Sequence, residues 1–161
     1  METLNLSQEG EIIVVEPWEV TPTGENHTVI VPNDLMTSIY GQALDVGDYI
    51  GFFYEYNGDL ICAGQGPLNT DFSAITVYGN DEDPPFKNGF SSGETFKVKV
   101  YLVSESMEYT VSASYEPVGT GGVVSHTEQY ANDGISMLAG LEGSQSLDIL
   151  LNVGWNMISS Y

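Results

Sequence analysis

Between residue 11 and about residue 115, apolar and polar positions alternate in short runs separated by Gly, Pro or Asn-Gly. This period of two, rich in β-branched and aromatic residues, predicts strands. The first run, "EIIVVEPWEV", carries Pro17, which cannot donate to a ladder and so marks a bulge or an edge. "NHTVIVP" reads as a short strand stopped by Pro32. In "GDYIGFFYEYNGDLICAG", Asn57-Gly58 can supply the positive φ angles of a tight hairpin turn. Ile50, Phe52, Tyr54 and Tyr56 then share one face, with Tyr49, Phe53 and Glu55 on the other. Both faces carry large apolar groups, which predicts a central strand buried on one side and partly covered on the other. Further strands are expected in "FSAITVYG", "ETFKVKVYLV" and "EYTVSASYEP". In the second of these, Phe96, Val98, Val100 and Leu102 point inward, while Lys97, Lys99 and Tyr101 face water, where acidic neighbours can pair with the lysines.

"PVGTGGVVS" interrupts the pattern and reads as a hinge. Beyond it, Ile135, Leu138 and Leu141 stand at helical spacing, with Asn132 or Asp133 as a cap and Gly143 as a stop, which predicts a short helix near residues 132 to 141. "LDILLNVGWNMISS" returns to strand character. The expected fold is all-β: a mostly antiparallel β-sandwich, with a jelly-roll arrangement open as an alternative, and one short helix late in the chain. Residues 1–118 form its core, and 119–161 are expected to pack on the same domain or on a neighbouring module or subunit.

Composition narrows the function classes. At 161 residues the chain suits one domain. Three Lys and Arg against 23 Asp and Glu give a net charge of −20, a field that repels phosphate backbones and anionic lipid and attracts divalent cations. Nucleic acid is therefore not an expected partner. No run approaches the ~20 apolar residues of a membrane helix, so membrane insertion is not expected either. "METLNLSQEG" has no basic start followed by an apolar stretch, so the chain reads as cytoplasmic or as a mature or excised piece. With Cys62 as the sole cysteine, a disulfide scaffold is excluded.

The candidate chemistry is sparse. "GFSSG" at residues 89–93 matches a nucleophile-elbow pattern, but a loop enters it and a strand leaves it, so Ser91 reads as a turn residue. Cys62 reads as a buried thiol, and two histidines with one cysteine do not suit zinc. No enzymatic activity is expected. The acidic loop "YGNDEDPPFKNGF" places Asn80, Asp81, Glu82 and Asp83 together, oxygen donors of the kind Ca²⁺ takes from loops. Asp45, Asp48 and Asp71 are further candidate ligands. Tyr49, Tyr54, Tyr56 and Tyr101 are candidates for stacking on a glycan. Trp155, Met157 and Ile158 make the final segment apolar, and such a strand can pair with a neighbouring module or a second copy, as in a fibre.

The series "EPWEVTPTGENHTVIVP", "ALDVGDYIGFFYEYNGDLICAG", "AITVYGNDEDPPFKNGFSSGETFKVKVY" and "GWNMISSY" resembles a β module that recurs in very large type IX-secreted, adhesin-like surface proteins of Bacteroidota. The resemblance covers most residues from Trp18 to Tyr161. It implies an extracellular or cell-surface location and a non-catalytic role in adhesion or architecture, with stabilising Ca²⁺ as an expectation. A carbohydrate-binding module and a self-assembling fibre subunit are the alternatives. In that family the terminal phrase opens a following segment, so the resemblance also implies neighbouring modules.

Overall fold

The computed structural model describes residues 16–143. Eight strands are present: β1 Glu25–Val31, β2 Met36–Ile39, β3 Tyr49–Tyr56, β4 Asp59–Pro67, β5 Ser73–Gly79, β6 Lys97–Leu102, β7 Met107–Tyr115 and β8 Ile135–Gly143. Seven of them run in the order β4-β3-β6-β7-β8-β1-β5, and the short β2 pairs with β8. The expected pair of packed sheets is therefore corrected to one mixed sheet, nearly closed into a barrel. Neighbours are antiparallel except β1 and β2, which both lie parallel to β8.

Alternation explains the curl. Every strand of the path puts apolar side chains inward, and Val29, Phe52, Val77, Val100 and Leu138 are fully buried or nearly so. Closure is made where β4 meets β5 without a continuous ladder. There Gly64 lies so close to β5 that a Cβ on it would stand 2.3 Å from the Thr76 carbonyl oxygen and 2.9 Å from Val77 Cα. A side chain at Gly64 would hold the two strands apart.

The Asn57-Gly58 hairpin forms as expected. Its φ values of 54° and 86° join Tyr56 to Asp59, and one extra residue on β4 bulges opposite Phe52 and Phe53. The β6 face is also as read, with Phe96, Val98, Val100 and Leu102 buried. On its outer side Lys99 pairs with Glu108 at 2.9 Å.

Two expected elements are corrected. Of the first run, residues 11–15 lie outside the described residues, as do the late strands expected in "LDILLNVGWNMISS", and residues 16–20 are not a strand; the expected helix is β8. Between Ser114 and Tyr115 the β7–β8 register slips, Tyr115 pairing with Leu138 and Ser114 with Gly140. Ala139 is the extra residue, so Ser136, Leu138, Leu141 and Gly143 all turn inward. A bulge thus shifts the inward set from a spacing of two to a spacing of three, which imitates a helix. Asn132 and Asp133 do not cap a helix. The Asn132 side-chain oxygen accepts the Asn26 N–H at 3.0 Å, and the Asp133 N–H donates to the Asn26 carbonyl at 2.7 Å. Among the described residues there is no α-helix, only a 3₁₀ turn at Thr120–Gly122. None of these described elements is long and apolar enough, as a helix, to cross a membrane.

Candidate functional site

The strand directions define two ends of the barrel. At the upper end β1 and β8 begin, β3 and β5 finish, and the loop carrying residues 80–94 folds across. Phe90 seals this end: it is 1% exposed, lies parallel to Tyr130 with centroids 5.7 Å apart, and meets Phe96 and Tyr54 edge-on. Phe90 reaches this position because Gly89 lies against the Gly79 backbone, where a Cβ would stand 2.4 Å from the Gly79 carbonyl carbon.

The acidic loop is organised around its own polar groups. The Asn80 side-chain oxygen accepts N–H bonds from Glu82 at 3.3 Å and Asn88 at 2.9 Å. Asp81 accepts the Asn88 side-chain amide at 2.7 Å on one oxygen and the Gly24 N–H at 2.8 Å on the other. These two bonds, the first from Asn88, hold the exposed Asp81 carboxyl below its ordinary range. Glu82 and Asp83 point to solvent. Among the described residues no three His, Cys, Asp or Glu side chains are grouped to hold a metal. Asp48 lies apart from this loop and is buried. Its oxygens accept the N–H groups of Asp45 and Val103, both at 2.9 Å.

The four candidate tyrosines do not form one platform. Tyr49 and Tyr101 are register partners on the outer face, but a strap of residues 16–23 lies over it. Trp18 stands edge-on to Phe53 at 5.2 Å and to Tyr101 at 6.2 Å. It sits over Gly51, where a Cβ would be 2.7 Å from the indole ring. The indole N–H donates to Glu108 at 2.9 Å, and the Gln65 side chain bonds both the N–H and the carbonyl of Trp18. Tyr54 is buried on the opposite face against Phe90, and Tyr56 donates to the Pro85 carbonyl at 3.4 Å. Trp155, Met157 and Ile158 lie outside the described residues.

Lys87 fastens the upper loop to the barrel. Its ammonium donates to Glu94 at 2.9 Å and to the Glu55 carbonyl at 3.0 Å. Burial pushes the Glu94 carboxyl up, but bonds from Lys87 and from the Ser91 and Glu55 N–H groups outweigh it and hold the carboxyl below its ordinary range. Ser91 is therefore part of a turn, its N–H on Glu94 at 2.9 Å. Cys62 is buried, with its thiol directed to the Gly64 carbonyl at 3.3 Å. Burial raises its pKa to about 11, so the nucleophilic thiolate is scarce at neutral pH.

A buried histidine cluster was not legible in the sequence. His27 is fully buried on β1. Ser136 Oγ lies 2.6 Å from the Thr127 carbonyl and 2.9 Å from His27 Nε2. A hydroxyl has one proton, and the carbonyl can only accept, so Ser136 donates to Thr127 and accepts from His27 Nε2–H. Neutral Nδ1 then accepts the Ala131 N–H at 3.1 Å. A second proton on the ring would turn Nδ1 to the Ala131 carbonyl at 2.9 Å and orphan that N–H.

Burial lowers the His27 pKa; the Ala131 backbone opposes this, and His126, with ring centroids 5.9 Å apart, adds to it. The unfolded chain therefore binds the proton first. The stabilisation is complete above about pH 6.5 and is lost as pH falls from there through the lower folded value. Thermal melts between pH 8 and pH 5 are expected to show this decline in the natural protein. A His27→Asn variant should be less stable at pH 8 and show a flatter profile across the same range.

A shallow groove, open to solvent, crosses the outer face of β2, β7 and β8, lined by Met36, Ser38, Ser112, Ser114, Gly140 and Glu142. No protein-family model, curated protein or solved structure matches the chain.

Proposed function

We propose that the chain is a non-catalytic extracellular module of a bacterial surface protein, serving architecture or adhesion through its rigidity. The observation that carries this reading is how the polar side chains are used: Asp81, Asn88, Asp48, Glu94 and Glu108 each bind backbone or neighbouring side chains that pin loops and strap to the barrel. The net charge of −20 suits an exposed surface that stays soluble at high density. In this reading calcium would be taken by the loop of Asn80, Asp81, Glu82 and Asp83, where Asp81 would have to release Asn88 and Gly24 to serve as a ligand. Antibodies against the folded barrel are expected to label intact cells of the organism that makes it. Labelling that requires permeabilised cells would contradict the reading.

A further inference from the structure

We infer that the barrel is a tension-bearing element, in which load applied between the start of β1 and the end of β8 is carried in shear by the parallel pairing of these strands. The register runs Thr28↔Ile135, Val29↔Ser136 and Ile30↔Met137, and β2 continues it from Met36↔Gly140 to Ile39↔Gly143. Because the strands are parallel, Glu25 lies at the upper end and Gly143 at the lower end. A pull on these two points drags the strands past each other along their length. All bonds between them then stretch together, whereas an antiparallel pair of first and last strands would open from one end, bond by bond.

The pairing is reinforced at its upper end. The Thr28 N–H donates to the Gly134 carbonyl at 2.9 Å, and the buried His27 and Ser136 side chains bond at 2.9 Å between the same two strands. Neither strand is a free edge, since β1 also pairs with β5 along its whole length and β8 with β7. The strap at residues 16–23 is held by fewer bonds, chiefly those of Trp18 and Thr23. It peels first and passes the load to β1.

This deepens the architectural reading and rests on it only for its biological meaning. Single-molecule force spectroscopy on the full chain tests it, with handles at Met1 and Tyr161 in one arrangement and, in the other, on Thr21→Cys and Glu128→Cys, which precede β1 and β8 and so load the two strands from their upper-end starts. The buried Cys62 thiol does not compete for the handles. Rupture between the chain ends is expected to need several-fold more force than rupture between the two upper-end handles, and Ser136→Ala should lower the end-to-end value. Equal or lower force in the end-to-end arrangement would overturn the inference. Cell-surface labelling reads the proposed function separately, so the two can fail independently.

Discussion

Gly64→Ala is expected to destabilise the barrel by about 3 kcal/mol, the upper part of the range for overpacking a close contact. The new Cβ would meet the Thr76 carbonyl oxygen at 2.3 Å and Val77 Cα at 2.9 Å, and both are backbone atoms that cannot turn away. The strain can be relieved only by moving β4 from β5, which opens the seam. Gly66→Ala is the internal comparison. Its Cβ would meet Ile75 Cγ1 at 2.9 Å, a side-chain atom that can change rotamer, so a loss of about 1 kcal/mol is expected. Chemical denaturation of both variants reads the difference. Equal small losses would mean that β4 and β5 do not touch.

Phe90→Ala is expected to cost about 3–5 kcal/mol, as for other buried phenylalanines. The ring is 1% exposed and touches Tyr54, Phe96 and Tyr130, so its removal leaves a cavity that three rings must fill. It also frees the upper loop from the barrel mouth. For a chain of this size the melting midpoint should fall by about 9–15 °C. Phe86, in the same loop but 64% exposed, should tolerate alanine with a change of about 0.5 kcal/mol or less.

These two sites show what the sequence could and could not disclose. The Asn57-Gly58 turn and the alternation of β6 were legible because each depends on residues a few positions apart and on one face being buried. β8 was misread because the bulge at Ala139 breaks the period of two, and that bulge is defined only against β7. β2 went unseen because four residues with one buried position carry too little pattern. The barrel in place of a sandwich follows from contacts at Gly64 and Gly66, which face Thr76, Val77 and Ile75 of β5, and a glycine's neighbours across a seam leave no mark on its own surroundings in sequence.

The candidate sites divide in the same way. The acidic cluster was visible as a run, yet its geometry depends on Asn88 and Gly24, which bind Asp81 from seven residues later and from another part of the chain. The tyrosine set was read from parity, which places Tyr49 and Tyr101 on one face correctly but cannot show that Trp18 lies over it. His27 and Ser136 are 109 residues apart, and only the parallel pairing of β1 with β8 brings them together.

The barrel is a single sheet that closes by contact between β4 and β5 and places β8 beside β1. A nuclear Overhauser spectrum of the labelled protein checks both contacts at once. A cross-peak between the α protons of Gly64 and Val77 is predicted, together with one between the Thr28 amide and residues 134–135. If Gly64 shows contacts to β3 alone and residues 135–143 show the sequential amide pattern of a helix, the barrel is contradicted.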